Sequence, residues 1–392
     1  MSRRYAKSTN VMPDGVLVFV TLVLMCGGLV MLTSASVAVS ESLAGSPFYF
    51  LRQQLVAVLV GALAGAVMLK VPTEYWEKFG AGLVVIAFLL LIAVLIPGVG
   101  RTVNGATRWV NLGVLNVQVS EPARLLIMMY LAGYAVRFQD EIRNTAGGFI
   151  KPIVLVGAAC ALLLLQPDFG AATVLLAVTL GILFVAGARL IYFFACCAGV
   201  AGLLALLAIT SPYRLKRITG FMDPWADPYN NGFQLVQSLI AIGSGDIFGL
   251  GLGNSVQKLF YLPEAHTDFV FAVIAEEFGL VGSLMVIVLF GVLVWRALLI
   301  ARHSAVLNRY YQAYLSFGIA IWLGMQSIVN MGVNMGVFPT KGLTLPLISY
   351  GRSSLIITMM AVALLIRIDI ENGGPAARAA KAGSKKLRGA RK

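Results

Sequence analysis

Apolar residues run along this chain in long blocks that contain no charge. A helix needs about 20 such residues, rising 1.5 Å each, to cross a hydrocarbon core about 30 Å thick. Runs of that order predict spans over 15–40, 53–69, 79–100, 152–167, 169–188, 190–213, 278–295 and 310–340, the last long enough for a span and an outer loop. The runs 125–136 and 353–366 are shorter and need their flanks to cross. The pattern predicts an all-α integral membrane protein of about ten transmembrane helices, because a backbone in lipid must satisfy its own hydrogen bonds. Between spans 7 and 8 lies a large outer loop, 211–267, with its own aromatic residues Trp225, Tyr229, Phe233, Phe248, Phe260 and Tyr261. Within it, 234–242 has the pattern of a short amphipathic helix on the membrane surface. Gly243, Gly245, Gly249, Gly251 and Gly253 then mark a turn-rich stretch.

Composition agrees with a lipid solvent. Apolar residues make up 59% and charged residues 12%, where a soluble domain carries about 25% charge. Mean hydropathy is +0.87. No secretory signal peptide is expected, since the first apolar run is too long and more spans follow. The net charge of +13 does not point to nucleic acid, because its cations gather at the ends of the chain and beside spans. With the N-terminus inside, twenty of the thirty lysines and arginines fall on inner segments and ten on outer ones. That excess, with an even span count, places both termini in the cytoplasm. The divisions are a cytoplasmic tail over 1–10, a transmembrane domain over 11–370 and a basic tail over 371–392, expected to be disordered. Cys26, Cys160, Cys196 and Cys197 sit in apolar runs as small core residues, and two histidines without metal spacing argue against a zinc site.

Polar density on the outer side is where chemistry is expected. Three segments carry it, 100–113, 258–269 and 338–354. Cations outside run against the topology bias, so Arg108, Lys258, Lys341 and Arg352 suggest a pyrophosphate or another anion at the outer leaflet; anionic headgroups are the plainer partner. Asp268 stands where the outer loop meets a span, and an ionisable group there is a functional candidate. Capping competes with that reading: Thr267 as N-cap would put Asp268 in a helix's first turn and lower its basicity. Glu276 lies about 12 Å further along the helix and is rotated by roughly 80°, and Glu277 by roughly 180°. Neither pairs with Asp268, so both are conformational or interhelical polar groups. Asp168, in the corner Q-P-D-F-G, is structural, and Trp109 is either a bilayer anchor or a stacking surface for a sugar. Glu264, His266 and Ser349 complete the candidate contacts on these segments.

Several strings resemble the SEDS family (shape, elongation, division and sporulation), within it the cell-division branch. They are A-T-R-W-V-N-L-G with V-S-E-P-A-R-L, L-L-L-L-Q-P-D-F-G, D-P-W-A-D-P-Y, G-F-Q-L-V-Q-S-L-I-A-I-G-S-G, N-S-V-Q-K-L-F-Y-L-P-E-A-H-T-D-F and G-V-F-P-T-K-G-L-T-L-P-L-I-S-Y-G-R-S-S. The resemblance runs from about Val11 to Ile370. It implies a peptidoglycan glycosyltransferase with ten spans at the outer face of the cytoplasmic membrane. Such an enzyme joins lipid II into β-1,4 glycan strands, inverts the donor carbon and releases undecaprenyl pyrophosphate. The family's catalytic aspartate falls on Asp268, as general base, and its functional tryptophan on Trp109. A divalent cation, magnesium or manganese, could assist the leaving group. Family members work with a class B penicillin-binding protein and, in the division branch, with divisome activators at the septum. One departure is S-Y-G-R-S at 349–353, where the family commonly has S-Y-G-G-S. The rival readings are a flippase for the lipid-linked precursor and a scaffold without activity.

Overall fold

The computed structural model describes residues 12–103, 105–111, 113, 116–209, 221–230, 232–339 and 342–374. Helices dominate. In chain order they are α1 (Gly15–Ala44), α2 (Tyr49–Lys70), α3 (Thr73–Lys78), α4 (Gly80–Ala93), α5 (Ser120–Arg137), α6 (Gln139–Asn144), α7 (Ala146–Leu165), α8 (Phe169–Ala186), α9 (Leu190–Ile209), α10 (Phe233–Ser244), α11 (Val270–Val306), α12 (Tyr310–Asn334) and α13 (Arg352–Glu371). The expected tail 1–10, residues 375–392 of the expected tail 371–392, and 210–220 of the long loop lie outside the described residues, while Glu371 still belongs to α13.

Seven of these helices are long and apolar enough to cross a membrane, namely α1, α2, α7, α8, α11, α12 and α13. The expected spans at 79–100, 125–136 and 190–213 are helical too, as α4, α5 and α9, but weaker. The 14 residues of α4 cover only about 21 Å, and α5 carries Glu121, Arg124 and Arg137. Burial sorts the bundle into layers. Two-thirds of the apolar window is buried in α12 and α13, against one-third in α1, α7 and α11. The first pair forms the centre with α5, whose Leu125, Ile127, Met128, Met129 and Leu131 are all buried. The second group turns apolar surface outward, as a helix in lipid does. Gly61 and Gly65 of α2 face Met359 and Ala363 of α13, and a Cβ on Gly61 would sit 2.6 Å from Met359 Sδ. Small residues at that spacing let the two helices close together.

One expectation is corrected. The chain is not wholly α, because β1 (Gly100–Val103), β2 (Ala106–Asn111) and β3 (Asn116–Gln118) form a three-stranded antiparallel sheet. An Asn-Gly pair at 104–105 is a strong hairpin dipeptide, and Gly105 takes φ 75 at the turn. The helix expected at 234–242 exists as α10, and protein covers one face of it. Its Leu235, Val236, Ser238 and Ala241 are buried, and it packs on α11 and α12.

Helix α11 is broken. Gly279 has φ 64 and ψ −157 in the middle of it. In an unbroken helix Leu280 N–H and Val281 N–H would donate to the carbonyls of Glu276 and Glu277. Here Leu280 N–H donates to Asp246 O at 2.9 Å and Val281 N–H to Ile247 O at 3.2 Å. The released Glu276 and Glu277 carbonyls accept from Leu250 N–H and Gly251 N–H, each at 3.0 Å. The turn after α10 thus fills the gap and satisfies these two donors and two acceptors, as an interrupted helix inside a bilayer requires.

Candidate functional site

The turn brings the segment 255–269 back over the N-terminal part of α11. Two buried carboxylates hold it there. Glu276 accepts from Val256 N–H at 2.9 Å, from Gln257 N–H at 3.4 Å and from Ser255 Oγ. Glu277 accepts from Lys258 Nζ at 2.7 Å and from Ser34 Oγ of α1 at 2.6 Å. Lys258 also donates to Ser34 Oγ at 3.0 Å. Lys258 is buried. It was expected among the outward cations; the break in α11 instead places Glu277 beneath it, and its charge is neutralised within the protein. Neither glutamate meets Asp268.

Asp268 is half-buried, two residues before the first residue of α11. The N-cap position is Phe269, without a side-chain cap, and Thr267 Oγ1 donates to Glu264 Oε2 at 2.7 Å. The capping alternative therefore fails: Thr267 is turned back into its own loop and Asp268 is not in the first helical turn. Its main chain is held firmly. Asn330 Nδ2 and Asn334 Nδ2 of α12 both donate to Asp268 O, at 2.8 and 3.0 Å. Its carboxylate accepts no hydrogen bond among the described residues. Gly342 forms the facing wall, where a Cβ would lie 3.0 Å from Asp268 Oδ2. Burial, aided by the Glu264 carboxylate and opposed by the Arg108 guanidinium, pushes Asp268 up to about 7. That is the range in which a carboxylate serves as a general base near neutral pH.

The sheet supplies a second wall. Trp109 lies on the central strand β2, paired with Arg101 and Gln118, and is half-buried. Arg108 beside it donates from Nε to Gln166 O at 3.1 Å and from Nη2 to Pro167 O. A guanidinium has five N–H donors, so this docking onto the corner leaves others for a ligand. The corner is set by Asp168, which caps α8 through Ala171 N–H at 3.1 Å and accepts from Gln118 Nε2 at 3.0 Å and Ser120 Oγ at 2.9 Å. These three contacts tie the corner to β3 and to the starts of α5 and α8. Gly170 of the same corner packs against Leu343, where a Cβ would be 2.6 Å from the leucine Cδ2. The corner, the sheet and the 342–354 segment are one assembly.

The remaining candidates frame this space. Tyr350 N–H donates to His266 O at 2.9 Å, and the His266 ring lies 4.6 Å from Phe50 and 5.8 Å from Tyr350. Burial holds His266 below the usual imidazole value against the opposing pull of Glu264. Ser349 is buried and accepts from Leu345 N–H at 2.8 Å. It closes a turn of its own backbone. Glu264 is exposed, with φ 56. Arg352 opens α13. Lys341 lies outside the described residues. Among the described residues no group of three or more His, Cys, Asp or Glu side chains gathers to hold a metal ion.

Sequence reading missed three sets of residues. Asn330 and Asn334 recur at four-residue spacing in an apolar run, the signature of polar contacts between membrane helices. Ser353 accepts from Gln118 N–H at 3.0 Å and donates to Asn116 O at 3.0 Å, tying β3 to α13. The buried pair Glu121–Arg124 lies under the site with the Arg124 guanidinium 4.3 Å from the Trp322 ring. Nothing in the sequence marks Ser353, since a serine near the start of a helix is ordinary.

A half-buried acid beside a small antiparallel sheet, carried by a bundle with several helices long and apolar enough to cross a membrane, defines a multi-pass membrane protein with one candidate polar site. The chain belongs to the FtsW/RodA/SpoVE family of cell cycle proteins, whose model matches residues 15–373. It is 53% identical over 350 residues to the probable peptidoglycan glycosyltransferase FtsW of Thioalkalivibrio sulfidiphilus, covering 89% of this chain and 88% of that one. It is 50% identical over 358 residues to the same-named protein of Coxiella burnetii, covering 91% and 96%. Among solved structures it resembles a chain of a peptidoglycan synthase complex that coordinates polymerization and crosslinking, with TM-score 0.75 and 31% identity over 92% of this chain and 98% of that one. It also resembles the rod shape determining protein RodA of Thermus thermophilus, with TM-score 0.65 and 32% identity over 91% and 97%.

Proposed function

We propose that this protein is a peptidoglycan glycosyltransferase that joins lipid II into β-1,4 glycan strands for the dividing cell wall. The observation that carries the chemistry is Asp268, a half-buried carboxylate held up to about 7 with no hydrogen bond to its oxygens among the described residues. The acceptor sugar's 4-hydroxyl attacks the donor's anomeric carbon while Asp268 takes the hydroxyl proton. A carbon–oxygen bond forms, the bond from that carbon to the pyrophosphate breaks, and undecaprenyl pyrophosphate leaves with the electron pair. Inversion follows from a single displacement. Arg108, Arg352 and Lys341 offset the charge that builds on the leaving group. Trp109 and the His266–Phe50–Tyr350 rings offer faces for the sugars. A divalent cation, if bound, would add positive charge at the pyrophosphate.

The membrane arrangement belongs to the same reading. Ten crossings correspond to α1, α2, α4, α5, α7, α8, α9, α11, α12 and α13. Both termini lie in the cytoplasm, residues 11–370 form one transmembrane domain, and the site opens on the outer face of the inner membrane at the septum. Partners are a class B penicillin-binding protein, which crosslinks the strands, and divisome activators. The similarity to a chain from a complex that polymerizes and crosslinks supports the first of these.

The test is Asp268→Ala in the full chain, supplied with its penicillin-binding partner and lipid II. The variant inserts and makes no glycan strands. Normal polymer from it removes Asp268 from the chemistry. Movement of lipid II across liposomes holding this protein alone would favour the flippase reading.

A further inference from the structure

We infer that Asn330 and Asn334 of α12 are positioning residues for the general base, a step that rests on the proposed role of Asp268. They form a paired amide clamp that fixes its main chain relative to the opposite wall of the site.

The hydrogen-bond count is what distinguishes the clamp from ordinary interhelical contact. An amide nitrogen has two hydrogens and a carbonyl oxygen two lone pairs. Asn330 Nδ2 spends its two on Asp268 O at 2.8 Å and Leu343 O at 2.6 Å. Asn334 Nδ2 spends its two on Asp268 O at 3.0 Å and Asn330 O at 2.8 Å. Both lone pairs of the Asp268 carbonyl are therefore taken by one face of α12. Asn334 Oδ1 accepts from Ala272 N–H at 3.0 Å and so fixes the start of α11 as well. Which amide atom points where is settled by these partners: an oxygen in place of either nitrogen would face carbonyl oxygens.

Leu343 is the residue after Gly342, whose Cα faces the Asp268 carboxylate. One side chain, Asn330, thus bridges the strand of chain that carries the base and the strand that forms the facing wall. It sets the width of the slot in which the carboxylate works. Asn330 Oδ1 is buried and has no hydrogen-bond partner among the described residues. A buried amide oxygen left unpaired is a cost to the fold. A polar residue is kept there for what its nitrogen donates. Both asparagines are buried, so water cannot replace them. A base displaced by a fraction of an ångström loses rate rather than affinity, because the sugar and the lipid are bound elsewhere.

The experiment uses the full chain with its penicillin-binding partner and lipid II, with rates expressed per folded molecule. Asn330→Ala removes the bridge. Asn334→Asp keeps the acceptor for Ala272 N–H and removes both donations. Each is expected to lower kcat by about 10- to 100-fold while KM for lipid II stays within about threefold. Ser238→Ala, which deletes only the 2.8 Å donation from α10 to Asn334 O, is expected to keep kcat within about twofold. Unchanged kcat in both asparagine variants overturns the clamp, as does a rise in KM that accounts for the whole loss. Equal loss of kcat in Ser238→Ala would also overturn it, since general loosening of α12 would then suffice. Asp268→Asn in the same assay separates the two ideas. If that variant polymerises, the base assignment fails; if it is dead while the asparagine variants are normal, only the clamp fails.

Discussion

Asp268 pays for its usefulness in stability. A carboxyl held up to about 7 by burial is protonated below that pH and cannot accept a proton. Polymerisation is expected to fall about tenfold per pH unit below roughly 7 and to level off above it, as initial rates between pH 5 and 9 would read. The stability sign is the opposite. Because the folded value is raised above the unfolded one near 4, the native state binds more protons between those two values, and stability declines as pH rises through that window. Asp268→Asn is expected to abolish polymerisation and to raise the unfolding temperature at pH 8, a trade seen where active sites store unfavourable charge. An unchanged or lower unfolding temperature would show that burial does not strain this group. Gly342 gives a second test at the same scale. A Cβ there would stand 3.0 Å from Asp268 Oδ2, so Gly342→Ala is expected to crowd the carboxylate and cut kcat by about tenfold or more with the protein still inserted.

At the scale of elements the decisive unit is α11 with the turn that fills its break. Gly249 has φ 81 and its Cβ would lie 2.2 Å from Glu277 O. A side chain at this position meets both strain and backbone. Gly249→Ala is expected to destabilise the protein by about 1–3 kcal/mol, measured as a lower unfolding temperature in detergent. Lipid II turnover per folded molecule should also fall, because the turn carries the segment that leads to Asp268. The break is a rule violation that sequence reading sees only in part. Glycines at 243–253 announced turns, and E-E-F-G announced two buried acids, but no pattern says that the turn supplies the hydrogen bonds the helix lacks.

Across the whole molecule, α1 is fastened to α11 at two distant places. Near the site, Ser34 lies between Lys258 and Glu277. At the far end, Asp14 caps α1 through Leu17 N–H at 3.2 Å and accepts from Arg296 Nε at 2.8 Å. Breaking a buried pair strands a charge, at a cost of about 3–5 kcal/mol, whereas removing both partners costs far less. Lys258→Met alone is therefore expected to unfold at clearly lower temperature than the parent chain, and Lys258→Met with Glu277→Leu to recover most of the loss. A Lys258→Met chain with normal stability and impaired lipid II binding would return Lys258 to the ring of anion contacts.

The sequence by itself determined the solvent, the number of apolar runs and the segments that carry chemistry. Each of these is local: a run of 20 apolar residues needs lipid whatever surrounds it, and Asp268 beside such a run is conspicuous at once. It also contained the turn residues of the sheet, in the Asn-Gly pair, although the apolar runs overshadowed them. Tertiary structure alone decided partners. Lys258 and Arg108 look alike in sequence, yet one is buried against Glu277 and the other docks on the corner at 166–167. Asn330 and Asn334 are two polar residues in a membrane run until folding brings α12 against Asp268. Charge and hydrogen-bond pairing depend on distances between residues far apart in the chain, and those distances exist only once the helices have packed.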